Sequence, residues 1–285
     1  MIVCYFGTYR QNYSRNKNMI AALRLVGVEV KECHVPLWSG VEDRVAVTSG
    51  GWKKPAFWWR VVKTYWQLYW KYTHIGEYDI LMVGYPGQFD VFFARMLANR
   101  KHKPLVWDVL MSIYLVALER QLDQVEDSSI NFIRKAEAKA LKKPDMLIQD
   151  TQPYIDWLCE TYQISSDKFR LLPIGADDRI FKPQPEGKNP DGLFRVLYYG
   201  SYIPNHGVSV ILCAAELLRS HSDILFVMIG EGPERTGAER FAQQKGLTNI
   251  EFESWVPQDE LPSRIAQADV CLGAFGQTPQ SLMTV

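Results

Sequence analysis

Short apolar runs alternate with amphipathic stretches along the first part of the chain. The apolar runs, which predict buried β-strands, lie at 2–6, 28–33, 80–83, 105–107 and 146–148. Stretches with apolar residues at helical spacing lie between them, at 16–26, 91–99 and 131–142. Ser14 is the predicted N-cap of the first of these helices. Strands separated by helices predict a parallel sheet with helices on both faces, an α/β fold.

The same alternation restarts after a segment rich in proline and glycine. Residues 181–192 hold three prolines and two glycines, which predicts a linker. After it we predict strands at 194–199, 225–229, 250–252 and 270–272, and helices at 208–219, 236–245 and 259–268. We therefore expect two domains, residues 1–191 and residues 192–285. The second has few strands and no closing helix, so we expect the natural chain to continue past Val285.

Composition and charge exclude several classes of protein. Of the 285 residues, 47% are hydrophobic and 22% are charged, which is typical of a globular protein with a core. Lys plus Arg equals Asp plus Glu, at 32 each, so nucleic acid is not an expected partner. No apolar run is long enough to span a membrane, and the amino terminus lacks the pattern of a signal peptide. Five scattered cysteines without metal-ligand spacing predict buried, reduced thiols in the cytoplasm and no metal site.

The segment 51–72 combines aromatic and basic residues. It carries nine aromatic side chains, five cations and no acid. On a helical wheel its polar residues fall within a narrow arc, and aromatic or apolar residues fill the remainder. Such a helix suits the headgroup region of a membrane, so we predict that Trp58, Trp59, Lys53 and Lys54 contact an anionic membrane surface. The alternative is a helix buried between the sheet and a neighbouring helix.

Glycine-rich loops follow two neighbouring strands of the second domain. The first loop contains Gly200, Ser201, His206 and Gly207, and the second surrounds Glu231. A strand, a glycine loop and a helix in this order present backbone N–H groups and a helix N-terminus to a phosphate. Any α/β protein places glycines at such turns, but two loops at neighbouring strand ends predict one ligand-binding crevice. Neither loop opens a G-x-G-x-x-G, so a dinucleotide-dependent enzyme is a weaker alternative.

Residues 194–276 resemble the carboxyl-terminal lobe of GT-B glycosyltransferases, in the large retaining group that includes many bacterial polysaccharide enzymes. The motifs that carry the resemblance are YGSYIPNHG at 199–207, IGEGP at 229–233, NIEF at 249–252, WVP at 255–257, ELP at 260–262 and ADVCLG at 268–273. Residues 170–177 and 181–183 resemble the segment that closes the first lobe in this family. The resemblance implies two Rossmann-like lobes with parallel sheets facing a cleft, the second lobe being incomplete here.

The resemblance also implies an activity. A sugar would pass from a nucleoside diphosphate sugar to a glycan or lipid-linked acceptor, with retention of anomeric configuration and without a metal or other cofactor. The implied donor-binding residues are Gly7, Gly200, Ser201, His206, Gly207, Glu231 and Val256, although the Val256 side chain could equally belong to the core. Asp108 is the candidate catalytic residue, and its alternative role is to cap the following helix. Arg15 is expected on the acceptor or membrane side, where it either reaches a phosphate or is an ordinary surface arginine.

The chain departs from the family pattern in two places. Most members have Arg and Lys around the first glycine loop of the carboxyl-terminal lobe, where this chain has Ser201 and His206, which offer less fixed charge to a diphosphate. The family's two glutamates, seven residues apart, are expected beyond Val285, so we expect the donor site to be incomplete here and this fragment to be inactive by itself. These departures leave a second interpretation, a non-catalytic GT-B-like protein that binds a membrane or a partner. The expected location is the cytoplasmic face of the membrane.

Overall fold

The computed structural model describes residues 1–37, 54–119, 127–184 and 191–283. The chain forms two compact units, Met1–Gly175 (unit 1) and Ala176–Val285 (unit 2). This division falls earlier than the predicted boundary between residues 191 and 192. The reason is that the last strand of the unit 1 sheet ends at Leu171, well before the proline-rich segment that suggested a linker.

Unit 1 is built on a six-stranded sheet in which all neighbouring strands are parallel. Its strands are β1 (Ile2–Gly7), β2 (Glu29–His34), β3 (Ile80–Val83), β4 (Leu105–Asp108), β5 (Met146–Gln149) and β6 (Phe169–Leu171), in the order β2-β1-β3-β4-β5-β6. Its helices are α1 (Ser14–Leu25), α2 (Pro55–Thr73), α3 (Asp90–Lys101), α4 (Ile113–Glu119), α5 (Asp127–Leu141) and α6 (Gln152–Tyr162). The apolar runs that predicted β1, β3 and β4 are buried because both faces of a parallel sheet are covered.

Unit 2 repeats this plan on a smaller scale. Its four parallel strands are β7 (Phe194–Tyr199), β8 (Ile224–Ile229), β9 (Ile250–Glu253) and β10 (Val270–Cys271), in the order β10-β7-β8-β9. Its helices are α7 (Val208–Leu217), α8 (Arg235–Lys245) and α9 (Leu261–Ala266). One face of the sheet packs Tyr198 and Met228 against helices α7 and α8. The other face carries a smaller cluster of Leu197, Val227 and Ile229.

Several local predictions need correction. Helix α1 begins at Ser14 and its N-cap is Tyr13, so the predicted Ser14 cap is wrong by one residue. The sequence pattern did not predict β6, α4 or α6. All five cysteines are free, but Cys213 and Cys271 are exposed, so the prediction of buried thiols holds only for Cys4 and Cys33.

Candidate functional site

The two glycine loops of unit 2 pack main chain against main chain. Strands β7 and β8 are paired, with Tyr199 opposite Ile229, so Gly200 and Gly230 follow at the same edge of the sheet. A Cβ atom added to Gly230 would lie 1.9 Å from the Gly200 carbonyl oxygen, and one added to Gly232 would lie 1.8 Å from that of Ser201. Both glycines have positive φ angles, of 131° and 155°. Their lack of a side chain is therefore what lets the loops meet.

The first loop turns into helix α7 at Gly207. Gly207 is the N-cap residue and has a φ of 64°, in the left-handed region. A Cβ atom there would lie 2.4 Å from the main-chain carbon of Phe275, so the segment after β10 lies directly against the loop. Ser201 is exposed at the start of the loop and His206 is half-buried near its end. Burial lowers the pKa of His206 below its ordinary value. The structure thus brings Gly200, Ser201, His206 and Gly207 together in front of the α7 N-terminus.

Arg235 is a cation at these loops that the sequence patterns did not single out. Its Nη1 donates hydrogen bonds to the main-chain oxygens of Gly230, at 2.6 Å, and of Glu253, at 3.0 Å. The same nitrogen contacts the exposed carboxylate of Glu231 at 2.6 Å. Glu231, a predicted donor-binding residue, is therefore paired with Arg235 in this structure. Glu231 lies in the loop before helix α8 and Arg235 is the first residue of that helix, so the helical spacing rule gave no signal for this pair.

The side chain of Val256 packs on one face of the unit 2 sheet. This half-buried side chain packs against the cluster of Leu197, Val227 and Ile229. These residues alternate with Tyr198 and Met228 along their strands, so they occupy the opposite face of the sheet. The side chain of Val256 thus belongs to the core, as the alternative interpretation held.

Gly7, at the end of β1, makes room for a buried carboxylate. Gly7 has a φ of 138°, and an added Cβ would lie 2.6 Å from Oδ2 of Asp90. Asp90 accepts hydrogen bonds from the Thr8 main-chain nitrogen and the Tyr65 hydroxyl, both at 2.7 Å. Burial raises the pKa of Asp90. The space at Gly7, predicted to serve the donor, is filled here by a protein side chain that the sequence analysis did not single out.

Asp108 and Arg15 form a buried ion pair at the carboxyl edge of the unit 1 sheet. Arg15 Nε and Nη2 donate to the two carboxylate oxygens at 2.9 and 3.0 Å, and the side chains are 5% and 0% exposed. Arg15 Nη1 also donates to the Leu172 carbonyl oxygen at 3.1 Å. A surface position for Arg15 is therefore wrong. Burial raises the pKa of Asp108, and the hydrogen bonds from Arg15 oppose that rise.

The capping role considered for Asp108 belongs to another carboxylate. Helix α4 begins at Ile113, and Glu137 accepts hydrogen bonds from the Ile113 main-chain nitrogen at 2.8 Å and from the Ser112 hydroxyl at 2.6 Å. Beside the Asp108 pair lies Asp150, whose pKa is raised by burial. One of its carboxylate oxygens is buried without a hydrogen-bond partner in the described part of the chain. The catalytic role of Asp108 stays a prediction. In this structure both carboxylate oxygens of Asp108 accept hydrogen bonds from Arg15.

Helix α2 turns its tryptophan side chains to solvent. Thr64, Leu68 and Tyr72 are buried against the body of unit 1. The exposed aromatic side chains include Trp58, Trp59, Trp66 and Trp70, of which Trp59 is 72% exposed and Trp66 is 68% exposed. We call these four residues the aromatic face. The alternative of a helix buried between the sheet and a neighbour is wrong, because the buried stripe contains the polar Thr64 and excludes the tryptophans.

Helix α3 packs beside helix α2. The Tyr65 and Tyr69 rings of α2 contact the Phe93 ring of α3, with centroid distances of 5.7 and 6.3 Å. Helix α3 also exposes Phe92 and Met96, and its N-cap residue Phe89 is exposed. Lys54 and Lys63 are exposed on α2, whereas Lys53 lies outside the described residues.

None of the described helices has the length and apolar character required to span a membrane. Within the same residues, His, Cys, Asp and Glu side chains do not gather in groups of three or more that could hold a metal ion.

Comparison with known families identifies the region around the glycine loops. Residues 179–273 match the family described as glycosyl transferases group 1. A protein of Escherichia coli (strain K12) assigned as a colanic acid biosynthesis glycosyl transferase, WcaI, is 31% identical over 80 residues, which are 28% of this chain and 19% of that protein. The α-D-kanosaminyltransferase of Streptomyces kanamyceticus is 24% identical over 190 residues, 63% of this chain and 48% of that enzyme. The matches thus span less than half the length of either relative.

Solved structures show a similar fold. The sucrose-phosphate synthase of Thermosynechococcus elongatus superposes with a TM-score of 0.69 at 15% identity, over 97% of this chain and 77% of that one. WaaG, described as a glycosyltransferase involved in lipopolysaccharide biosynthesis, superposes with a TM-score of 0.59 at 15% identity, over 96% of this chain and 75% of that one. The chain therefore has the GT-B α/β fold, and the segment that matches glycosyl transferases group 1 lies in unit 2.

Proposed function

We propose that the chain belongs to a GT-B glycosyltransferase that moves a sugar from a nucleoside diphosphate sugar to a glycan or lipid-linked acceptor. The observation that carries this proposal is the packing of Gly230 and Gly232 against the main chain of the first loop, in front of helix α7. This packing lies within the segment that matches glycosyl transferases group 1. The relative assigned to colanic acid biosynthesis favours a glycan acceptor.

The proposed chemistry places the donor diphosphate at these loops. Departure of the diphosphate builds negative charge on its oxygens, and prearranged N–H groups stabilise that charge. The N-terminus of α7 adds the positive end of its helix dipole, and His206 adds a side-chain hydrogen bond. Retention of configuration and independence from metal ions are part of the proposal and rest on the family resemblance of the six sequence motifs.

A nucleotide-binding scan tests the donor site. Calorimetry with UDP, GDP, ADP and NAD should show binding of at least one nucleoside diphosphate and no binding of NAD. The binding should be kept in Gly237→Ala, because a Cβ at that exposed helical position meets nothing within 4 Å. Preference for NAD would instead indicate a dinucleotide-dependent enzyme.

A non-catalytic role is the second candidate function. The observation that favours it is the neutral character of the first loop, where Ser201 is uncharged and burial lowers the pKa of His206. A GT-B-like protein of this kind would bind a membrane or a partner without turnover. Absence of binding for every nucleotide in the scan would favour this candidate.

We further propose that unit 1 associates with the cytoplasmic face of an anionic membrane through the aromatic face. Four exposed tryptophans on one helix form a surface that water solvates poorly, and the neighbouring helix α3 exposes Phe92 and Met96. Tryptophan rings and lysine side chains together suit the lipid headgroup region. Lys54 and Lys63 supply positive charge on α2, which contains no acidic residue. A lipid-linked acceptor would be reached at such a surface.

Sedimentation with liposomes tests the membrane contact. For the variant Lys54→Gln/Lys63→Gln we expect about 30-fold weaker partition onto phosphatidylserine-containing vesicles, because each lysine near such a surface contributes about 1 kcal/mol. Trp59→Ser/Trp66→Ser should weaken partition onto neutral vesicles as well. Trp255→Ser is the control, since Trp255 is 64% exposed but lies in unit 2. Equal sedimentation of all variants would refute the membrane contact.

A further inference from the structure

The Tyr198 hydroxyl joins two parts of the first glycine loop. Tyr198 lies near the end of β7 and is 2% exposed. Its oxygen accepts a hydrogen bond from the Tyr202 main-chain nitrogen at 3.3 Å. The same oxygen lies 2.9 Å from Nδ1 of His206. The hydroxyl is therefore shared between the turn of the loop and the imidazole ring.

The position of the hydroxyl proton follows from these two contacts. A phenol has one proton to donate, and a buried donor without an acceptor is unfavourable. Nδ1 of His206 is the acceptor that the described part of unit 2 offers to this proton. If Nδ1 accepts, the proton of a neutral imidazole resides on Nε2. Burial also raises the pKa of Tyr198 to about 12, so the phenol keeps its proton at neutral pH.

Packing holds the two side chains in this arrangement. A Cβ atom on Gly200 would lie 2.7 Å from the Tyr198 hydroxyl and 2.8 Å from His206 Nδ1, so glycine leaves the space in which they meet. The His206 carbonyl oxygen accepts a hydrogen bond from the Phe275 nitrogen at 3.0 Å. The Tyr202 ring packs edge-on against the Tyr198 ring, with a centroid distance of 5.4 Å. Main chain and side chain of His206 are thus both fixed.

We propose that Tyr198 is a positioning residue of the donor site, which holds His206 as its Nε2–H tautomer so that this N–H donates a hydrogen bond to the donor diphosphate. The inference rests on the proposed function, because it uses the same loop as the diphosphate site. It also gives a physical account of the departure from the family pattern. In this proposal the neutral Nε2–H group of His206 takes the place of a mobile Arg or Lys side chain. A hydrogen bond from such a group to a charged phosphate oxygen is stronger than one between two neutral groups.

The tautomer is measured in the ligand-free protein by nitrogen-15 NMR of the histidine rings. We expect the His206 signals of the wild type to show the Nε2–H form. Tyr198→Phe should give a mixture of tautomers and a His206 pKa higher than that of the wild type, because the lost hydroxyl favours the neutral ring. Tyr202→Phe is the matched control, since it also removes a buried hydroxyl, the one bonded to the Met228 carbonyl oxygen at 3.0 Å, and keeps the Tyr202 main-chain N–H. A wild-type ring in the Nδ1–H form would overturn the inference even if Tyr198→Phe failed to fold.

Binding of inorganic pyrophosphate connects the tautomer to the diphosphate. At a pH where the His206 ring is neutral, we expect about twofold weaker binding to Tyr198→Phe than to Tyr202→Phe, because only the part of the His206 rings that keeps the proton on Nε2 can still donate to pyrophosphate. Equal affinities of these two variants would overturn the positioning role while leaving the donor site in place. No pyrophosphate binding by the wild type, with the Nε2–H form present, would overturn the proposed donor site and the role of Tyr198 in it. Pyrophosphate binding by the wild type distinguishes these two failures.

Discussion

Gly230→Ala is expected to destabilise unit 2 by about 3 kcal/mol or more. The new Cβ would lie 1.9 Å from the Gly200 carbonyl oxygen, and a φ of 131° is one that residues with side chains rarely adopt. Neither loop can yield easily, because Gly200 follows a core strand and its own nitrogen donates to the Ile229 carbonyl oxygen at 3.0 Å. Urea unfolding followed by fluorescence or circular dichroism measures the change in free energy.

Two further glycines of unit 2 provide graded controls for this prediction. Gly246 has a φ of 61° but nothing within 4 Å of an added Cβ, so Gly246→Ala should cost about 1 kcal/mol from backbone conformation alone. Gly237 lies inside helix α8 with neither a positive φ nor a close neighbour, so Gly237→Ala should stabilise unit 2 by about 1 kcal/mol. If Gly230→Ala cost no more than Gly246→Ala, the close approach of the two loops would not be a determinant of stability.

The same substitution bears on the proposed function. The loops present main-chain N–H groups only while they stay packed against each other. We therefore expect the Gly230→Ala protein to lose pyrophosphate binding in the absence of urea, even if it is folded. Retention of binding by a folded Gly230→Ala protein would argue against the loops as the diphosphate site.

The sequence predicted the strands of the fold better than the partners of its polar residues. β1 and β8 are uniformly apolar because helices cover both faces of a parallel sheet, and such runs are visible in one dimension. The edge strand β6 was not predicted, because it has three residues and Arg170 interrupts its apolar pattern. The Gly200 and Gly230 loops were predicted from composition and order alone.

Contacts between residues that are distant in sequence could not be predicted from the sequence pattern. Arg15 and Asp108 are 93 positions apart in the sequence, and the residues around each of them do not indicate that the two form a pair. Gly7 and Asp90 meet only because the end of β1 and the start of α3 are neighbours in folded unit 1. For α2 the composition predicted a helix rich in aromatic and basic residues, but the helical wheel did not indicate which side of the helix faces the core. Packing of Leu68 and Tyr72 decides that, and it leaves the tryptophans outside.

The buried pair of Arg15 and Asp108 leads to the second large effect. We expect Asp108→Ala to destabilise unit 1 by about 3–5 kcal/mol, because it leaves the Arg15 guanidinium buried without its carboxylate. The Leu172 carbonyl oxygen, at 3.1 Å from Nη1, is the hydrogen-bond partner that remains among those described for this side chain. Urea unfolding at neutral pH measures the loss. Glu77→Ala is the control, because Glu77 is paired with Lys101 but is 83% exposed, so its removal should cost less than about 1 kcal/mol.

The double variant Arg15→Met/Asp108→Leu separates the two roles considered for Asp108. Replacing both charges by apolar side chains removes the unpaired charge, so the double variant should recover most of the stability lost in Asp108→Ala. If the pair serves only to hold the edge of the sheet, sugar transfer per folded molecule should then also return to within a few fold of the wild type. If Asp108 orients or deprotonates the acceptor hydroxyl, stability would return and transfer would not. A stable but inactive double variant would therefore support a role of Asp108 or Arg15 in transfer, and a stable active one would assign Asp108 to the fold.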